Sequence, residues 1–169
     1  MRIRTEQVMD VPKIHAINRA AFNSSTEAVI VDVLRSGAEN VISLVAEEDG
    51  EIVGHIMFSP VQLTGAEEVR AMALAPMAVT PQRQRAGIGS ALVRAGLDEC
   101  RRLGADAVFV VGHPAYYPRF GFKPASSVGF VCEFDVSEEV FMVAELVAGI
   151  LDGKTATVHF HSAFKVGSQ

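Results

Sequence analysis

The stretch Val79-Thr-Pro-Gln-Arg-Gln-Arg-Ala-Gly-Ile-Gly-Ser-Ala-Leu-Val93 decides how the rest of the chain is interpreted. An apolar run ends at Val79, a polar turn with glycines follows, and an amphipathic helix begins near Ile88. Glycine permits a sharp backbone turn and lets a ligand approach the main chain closely. The first turn of a helix leaves N–H groups unpaired and carries partial positive charge. Together these features are typical of a site for phosphate or pyrophosphate.

The spacing of the glycines excludes the two commonest phosphate loops. A P-loop requires a Lys-Ser or Lys-Thr pair after its last glycine, and none follows here. A dinucleotide-binding loop requires a third small residue three positions after Gly89, where this chain has Leu92. What remains is Gln84-x-x-Gly87-x-Gly89 at the turn from a strand into a helix. From these residues alone, a tight turn that only opens a core helix stays an open alternative.

Composition bounds the class of protein. The 169 residues are 49% hydrophobic and 21% charged, which predicts one globular domain, 1–169, with a full core. The net charge of −5 argues against a nucleic-acid partner. Neither a signal-peptide pattern nor an apolar run of the ~18 residues of a membrane span is found, so a cytoplasmic location away from membranes is expected. Cys100 and Cys132 lack metal-ligand spacing, so we expect two buried thiols and no metal.

Apolar periodicity predicts an α+β order of strand, two helices, three strands, helix, strand, short helix and further strands. Proline at position 76, inside the fourth strand, cannot donate to a sheet ladder, so that strand is expected to be irregular there. The strand–helix–strand succession around the glycine turn predicts a parallel pair. The predicted strands are 3–6, 41–46, 52–63, 71–79, 107–111, 130–134, 141–146 and 155–164, and the long helices start at Asp10 and cover 26–35 and 88–103.

A second motif follows the strand that ends at Val111. It reads Gly112-His-Pro-Ala-Tyr-Tyr-Pro-Arg-Phe-Gly-Phe122 and places Tyr117 four positions before the glycine of a Gly-Phe pair. The two motifs and the order of elements resemble the GNAT superfamily of N-acetyltransferases, in particular small bacterial members of poorly defined substrate. The resemblance covers essentially the whole chain, and it is also carried by residues 54–60, 74–79, 116–122 and 161–164.

The resemblance implies a GNAT fold and an activity. The fold is an α+β one with a mixed, mostly antiparallel sheet, a splayed parallel pair flanking an acetyl-CoA site, and helices on both faces. The activity is acetyl-CoA-dependent transfer of an acetyl group to a primary amine of a small molecule, peptide or protein, by direct attack in a ternary complex. The implied cofactor-binding residues are Met77, Ala78 and Val79 for pantetheine, and Gln84, Arg85, Ala86, Gly87, Ile88, Gly89 and Ser90 around the pyrophosphate. Arg83 and Arg85 also bring charge to this turn, although solvated arginines need no function.

The resemblance also implies that Tyr117 protonates the leaving CoA thiolate. A phenol with a pKa of about 10 is protonated at neutral pH and can donate. An aromatic side chain that only packs on the short helix is the alternative for Tyr117, and Tyr116 is a neighbour at the wrong spacing. His113 stands where asparagine is frequent in the family, and it either contacts the ligand or caps the end of the strand.

The general base stays unassigned. In many GNAT enzymes a glutamate on the strand before the glycine loop deprotonates the amine, but residues 71–79 contain no carboxylate. Glu67 and Glu68 are interpreted as loop residues, and His55 is a candidate of suitable pKa, although a lone strand histidine is more often structural. Proton loss through water explains the missing base equally well. A non-catalytic acyl-CoA-binding or sensor domain is therefore the alternative function.

The acceptor is not indicated by any cluster of charges. Acceptor specificity in this fold comes largely from the first two helices and the late strands, here 18–37 and 126–153, and neither segment suggests a polyamine or an aminoglycoside. The nearest approach to an acidic cluster is interpreted as a solvated charge run. It consists of Glu133, Asp135, Glu138 and Glu139. Exposed apolar strand edges leave a homodimer open.

Overall fold

The structure, a computed structural model, describes residues 1–167, so the last two positions of the predicted domain 1–169 lie outside the described residues. Within that range the chain forms three α-helices and nine strands. The helices are α1 (Val11–Phe22), α2 (Thr26–Gly37) and α3 (Ile88–Arg102). The strands are β1 (Arg2–Thr5), β2 (Ile42–Glu48), β3 (Glu51–Thr64), β4 (Ala71–Val79), β5 (Ala107–Val111), β6 (Lys123–Pro124), β7 (Phe130–Cys132), β8 (Phe141–Glu145) and β9 (Ala156–His159).

One mixed sheet joins these strands. Its order is β1-β2-β3-β4-β5-β8-β6, and β9 pairs with the end of β3 and with β7. Neighbouring strands are antiparallel except for β4–β5 and β7–β9. The predicted mixed, mostly antiparallel sheet with a parallel pair beside the glycine turn is therefore confirmed. The parallel pair β7–β9 was not predicted, because strands of three and four residues carry too short a pattern to indicate a partner.

The predicted strand 155–164 is wrong in length. Its first part forms β9, whereas Ser162–Gly167 is a 3-10 helix. The turn begins where the N–H of Phe164 donates to the carbonyl oxygen of His161 at 3.0 Å. Phe164 then packs against the apolar cluster of α1 and α2, so helix packing rather than strand pairing buries it. β7 likewise ends two residues before the predicted boundary.

Helices cover both faces of the sheet, as predicted. Along β2, Leu44 points to the face covered by α3 and Val45 to the face covered by α1 and α2, as strand alternation requires. Helix α3 contributes Ile88 and Leu92 to the first of these cores. The predicted helix 88–103 is one residue too long, and Leu103, which follows its observed end, is 54% exposed.

Both cysteines are free thiols. Cys100 on α3 is fully buried, and burial raises the pKa of its thiol to about 12. Cys132 is half-buried, so the expectation of buried thiols is confirmed for Cys100 and only partly for Cys132. Among residues 1–167, no three His, Cys, Asp or Glu side chains come close enough together to hold a metal ion. None of the helices in this part of the chain combines the length and the hydrophobicity that crossing a membrane requires.

Helix α3 approaches the sheet most closely at Gly96. A Cβ atom built on Gly96 would overlap the ring of Phe58, which is fully buried on β3. Gly54 gives a second close approach, since a Cβ there would lie 3.0 Å from side-chain atoms of Ile88 and Leu92. These contacts fix the height and position of α3 above the sheet, and with them the position of the turn that precedes it.

Replacing Gly96 by alanine is expected to lower the free energy of unfolding by about 1–3 kcal/mol, because the new methyl group overpacks the core against Phe58. Gly37→Ala is the matched control, since it is also a helical glycine and a Cβ there meets nothing within 4 Å. That variant is expected to be neutral or slightly more stable. Urea denaturation followed by circular dichroism measures both, and equal stability of the two variants would contradict the close contact.

Candidate active site

The parallel strands β4 and β5 separate partway along β4. Their register ends at the pair Ala73–Phe109, although β4 continues to its end at residue 79. At this point Ala75 and Pro76 together lie opposite one residue of β3, so β4 contains a bulge. Pro76 has no N–H to offer a neighbouring strand, and the Ala75–Pro76 peptide is cis. The irregularity predicted at Pro76 and the splayed pair are both confirmed.

Two cavities occupy the gap between the separated strands. The inner cavity, of about 560 Å³, lies between residues 74–77, residues 110–117 and the first two helices. The outer cavity, of about 720 Å³, extends from the same gap to residues 133–136 and the C-terminal 3-10 helix. The two cavities share Glu27, Ile30, Leu74, Ala75, Val111 and Phe164. A ligand that enters from the outer cavity therefore reaches the splayed strands directly.

The last residues of β4 present main-chain groups to the gap. The N–H of Thr80 donates to the carbonyl of Val53 at 2.9 Å, which places Val79 opposite Gly54 at a position that is not hydrogen-bonded to β3. The main-chain groups of Val79 and Met77 therefore face away from β3. Ala78 lies at the alternate position, where its N–H and carbonyl pair with β3, and its side chain is buried under the first two helices.

The glycine turn places unpaired N–H groups at the start of α3. Gly87 is the N-cap residue and has a left-handed conformation with φ of 87°, which glycine adopts without strain. The N–H groups of residues 87–90 have no hydrogen-bond partner within residues 1–167, as the first turn of a helix requires. Gly87 is exposed, whereas Ile88 is anchored in the core. The turn is thus an open surface of main-chain donors with partial positive charge.

The side chains of the turn differ in what they can offer a ligand. Gln84 Nε2 donates to the carbonyl of Val79 at 3.0 Å and ties the turn to the end of β4. Arg83 forms an ion pair with Glu48. Arg85 is exposed, has a φ of 64° and pairs with no residue in the range 1–167. Of the two arginines, Arg85 is therefore the one available to an anionic ligand.

Tyr117 offers a hydroxyl group to the inner cavity. Its side chain is only 8% exposed, and the ring lies directly on Gly112, where a Cβ atom would overlap it. The ring also makes an edge contact with Phe122 at 5.5 Å. Within the described chain the hydroxyl has no hydrogen-bond partner, and burial, with a smaller effect of Tyr116, raises the pKa of Tyr117 to about 12. A buried phenol that stays protonated and unpaired can donate to a group bound in the cavity.

Tyr116 is held by other groups. Its hydroxyl lies 3.0 Å from Ser90 Oγ at the start of α3, and a Cβ on Gly89 would lie 3.4 Å from it. The guanidinium of Arg119 lies over the Tyr116 ring at 4.6 Å. The two adjacent tyrosines therefore differ, because the hydroxyl of Tyr116 already has a partner and that of Tyr117 has none among residues 1–167.

His113 caps the turn before the short helix through its main chain. Its carbonyl accepts the N–H groups of Tyr116 at 3.1 Å and Tyr117 at 3.4 Å. The predicted short helix is the 3-10 helix Tyr117–Phe120 that this turn introduces. The imidazole of His113 is exposed at the wall of the inner cavity, so contact with a ligand remains open to it.

His55 lies in the core and lines neither cavity, so it is not placed to act as the base. Its Nε2 is 2.9 Å from Ser43 Oγ, and its Nδ1 is 3.3 Å from Asn18 Nδ2. The Ser43 hydroxyl donates to Glu6, and Arg35 holds the Glu6 carboxylate at 2.6 and 3.0 Å. Burial lowers the pKa of His55 to about 4, against a smaller opposing effect of Glu6. A neutral histidine in such a chain of hydrogen bonds is structural.

One carboxylate that the sequence did not single out lines both cavities. Glu27 is half-buried in the first turn of α2, and no other residue in the range 1–167 pairs with its carboxylate. Burial raises the pKa of Glu27. An acidic residue is common in the first turn of any helix, where it faces the positive end of the dipole. The sequence therefore carried no signal that separates Glu27 from an ordinary helix-terminal acid.

Comparison with known proteins identifies the family of this chain. Residues 2–125 match the model of the acetyltransferase (GNAT) domain. The chain belongs to the GNAT acetyltransferase family. The suspected resemblance is thereby confirmed, and so is the prediction that the protein is an enzyme of the N-acetyltransferase class. The described fold, with its splayed parallel pair and helices on both faces, is the GNAT fold.

Relatives similar to this GNAT enzyme include one from Escherichia coli. The uncharacterised N-acetyltransferase YhbS of strain K12 is 37% identical over 165 residues, covering 97% of this chain and 98% of YhbS. The crystal structure of YhbS in complex with CoA matches with a TM-score of 0.91 at 36% identity, over 97% of this chain and 91% of that one. A GNAT family acetyltransferase from Brucella melitensis in complex with acetyl-CoA matches with a TM-score of 0.80 at 37% identity, over 96% and 97%.

The stability of the protein is expected to fall as the pH is lowered from 6.5 to 4. In this window the unfolded chain binds a proton at His55 that the native state does not, so the free energy of unfolding decreases, by about 3 kcal/mol in total. Above pH 6.5 the stabilising contribution of His55 is fully present. Denaturant titrations across the pH range measure the slope of the free energy of unfolding against pH.

His55→Gln is expected to flatten that slope, whereas His113→Gln, at an exposed histidine, is expected to keep it. If the wild type and His55→Gln lose stability equally between pH 6.5 and 4, His55 is not neutral in the native state.

Proposed function

We propose that this GNAT enzyme transfers the acetyl group of acetyl-CoA to a primary amine, by direct attack of the amine in a ternary complex. One observation carries the proposal: unpaired polar groups follow each other from the start of α3 to the inner cavity. They are the N–H groups of residues 87–90, the N–H of Val79 and the main-chain groups of Met77 on the open edge of β4, and the hydroxyl of Tyr117, whereas the carbonyl of Val79 already accepts Gln84 Nε2. A ligand with phosphates, then amides, then a thioester matches this order. The relatives that hold CoA and acetyl-CoA support the assignment.

The main chain is suited to hold the donor. In this proposal the N–H groups of residues 87–90 bind the pyrophosphate, and Arg85 adds positive charge. Met77, and Val79 through its N–H, pair with the amides of the pantetheine arm as an added strand would. Ala78 lies between them and, through its pairing with β3, fixes their orientation. The pyrophosphate part of the site comprises Gln84, Arg85, Ala86, Gly87, Ile88, Gly89 and Ser90.

In this proposal Tyr117 assists departure of the thiol. When bound, acetyl-CoA supplies a thioester carbonyl carbon that the amine nitrogen attacks, and the carbon–sulfur bond breaks. Tyr117 donates its phenolic proton toward the departing sulfur in this proposal. The ring is buried and held on Gly112, and the hydroxyl is protonated and unpaired within residues 1–167, so the donor is oriented before the reaction.

Tyr117→Phe is expected to lower kcat by about 10²-fold or more, because the general acid is lost while the aromatic packing is kept. Affinity for acetyl-CoA, measured by calorimetry, is expected to change little. Release of CoA thiol measures the rate. A variant that keeps the full rate would remove Tyr117 from the mechanism, and a large loss in Tyr116→Phe instead would transfer the role to Tyr116.

Gly87→Ala is expected to weaken CoA binding measurably, because the left-handed turn that aims the N–H groups is strained by a side chain. Gly153→Ala is the matched control. Gly153 is also an exposed glycine, with φ of 73° and nothing within 4 Å of a Cβ, but it lies far along the chain from the turn. Both variants are expected to lose about 1–2 kcal/mol of stability. If both also lose CoA affinity equally, the turn has no specific role in binding.

Turnover separates this proposal from a non-catalytic acyl-CoA-binding or sensor domain. We expect thiol release from acetyl-CoA in the presence of primary amines. Tight binding of acetyl-CoA in calorimetry, with no thiol release across a broad panel of small and peptide amines, would favour the sensor.

A cytoplasmic location, a single domain and a homodimer stay predictions. Sedimentation measures whether the protein forms a homodimer.

A further inference from the structure

Glu27 stands at the junction of the inner and outer cavities. It lines both of them, together with Ile30 and Phe164. The side chain is half-buried, and within residues 1–167 no other residue pairs with its carboxylate. Neither lysine nor arginine lines either cavity among the residues described. A carboxylate that accepts a hydrogen bond only from its own main chain, between largely apolar walls, attracts a cationic group of a ligand.

A second unpaired polar group faces the same space. Tyr117 is more than nine-tenths buried, and its hydroxyl has no partner in the part of the chain that the structure describes. The walls between Glu27 and Tyr117 include the apolar Phe22, Ile30 and Leu74. One polar group of this cavity accepts protons and the other donates them. Acetyl transfer from a thioester to an ammonium group needs one group of each kind.

We propose, on the basis of the function proposed above, that Glu27 is the general base that takes the proton from the acceptor's ammonium group. We further assign the acceptor to the primary amines that carry an aromatic or apolar body and no carboxylate. The amine then lies in the inner cavity beside Glu27, and the body lies in the outer cavity.

The proton transfers balance around these two residues. The Glu27 carboxylate takes one proton from the ammonium group and passes it to water. The nitrogen lone pair forms the bond to the carbonyl carbon, and the electron pair of the carbon–sulfur bond leaves with sulfur. Sulfur receives the proton of Tyr117, and the proton lost by the amide nitrogen restores the phenol through water. An ammonium ion and acetyl-CoA thus give an acetamide, CoA thiol and one proton.

The surroundings of Glu27 suit this role. Burial raises the pKa of Glu27, which makes the carboxylate a stronger base toward an ammonium group. The titratable groups that line the two cavities with it are His113, Tyr116, Tyr117, Glu133 and Asp135. The two carboxylates among them lie on the outer side; Glu133 is in an ion pair with Lys165, and the charge of Asp135 attracts a cation on its way to the inner cavity.

The walls of the outer cavity indicate the body of the acceptor. The rings of Phe134 and Phe160 stack at 5.6 Å, and Phe160 and Phe164 meet edge to face at 5.8 Å. This aromatic wall offers apolar area and ring contacts to an aromatic or aliphatic body. Asp135 is exposed beside it, and Glu133 accepts the N–H of Phe160 at 2.6 Å. Glu133 also lies 3.9 Å from Lys165 Nζ, so its charge is offset, and a carboxylate on the acceptor would meet chiefly the negative charge of Asp135.

The test compares Glu27→Gln and Glu27→Asp with Glu139→Gln, a control at an exposed carboxylate outside both cavities. With phenethylamine at pH 7, kcat/KM is expected to fall about 10²-fold or more in Glu27→Gln, to recover in part in Glu27→Asp and to stay unchanged in Glu139→Gln. In the wild type, the acidic limb of kcat/KM against pH is expected to follow the ionisation of Glu27. That limb is expected to be absent in Glu27→Gln, in which the rate instead rises tenfold per pH unit as free amine forms in solution.

The outcomes separate this inference from the proposed function. Unchanged turnover, a reduced rate with the wild-type acidic limb, or loss of acetyl-CoA affinity in Glu27→Gln would each overturn the role of Glu27 and leave the acetyltransferase proposal standing. Phenethylamine is expected to react at least about tenfold faster than phenylalanine, which differs by one carboxylate, and the reverse order would overturn the acceptor class. If the wild type binds acetyl-CoA but acetylates no amine, the proposed function itself fails.

Discussion

The hydrogen-bond ladder between β4 and β5 ends at Ala73 and Phe109, and the rest of the site depends on that end point. Main-chain N–H and C=O groups in a protein interior are ordinarily paired. Residues 74–79 continue as a strand without a neighbour on that side, so they present groups that a bound amide chain can satisfy. The bulge and the missing N–H at Pro76 oppose closure of the gap by β5. The cavity beside Tyr117 follows from the same separation.

A site of this kind needs its hydrogen-bond donors held in place before the ligand binds. The close approaches at Gly96 and Gly54 set α3 firmly on the sheet, so the N–H groups at its start have a defined direction. On the opposite face, the partly buried chain from Arg35 through Glu6 and Ser43 to His55 ties α2, β2, β3 and the residue that follows β1 together. The wall that carries Glu27 is thereby fixed relative to the strands that flank the gap.

Local patterns in the sequence were enough to predict the local structure of one half of the candidate site. The turn at Gly87, the helix after it, the irregular strand at Pro76 and the spacing of Tyr117 each lie within a few residues of their own signal. The other half depends on contacts between distant segments. Glu27 looks like any acid in the first turn of a helix, and the pairing of Arg83 with Glu48 joins residues far apart in the chain. The orientation of Ala78 could not be predicted without the register between β3 and β4. The position of the C-terminal aromatic residues could not be predicted without knowing how they pack against α2.

The two walls of the cleft come from separate parts of the chain. Residues 71–122 supply the proposed donor side, whereas the outer cavity draws on α2 and on residues 133–164. Residues 133–164 lie beyond residues 2–125, the part of the chain that matches the GNAT family model. If the acceptor binds as proposed, substitutions in the aromatic wall of the outer cavity would redirect the enzyme to a different amine without disturbing the binding of the acetyl donor. The proposed donor and acceptor sites would then lie on different stretches of sequence, where selection or a protein engineer could change one and leave the other intact.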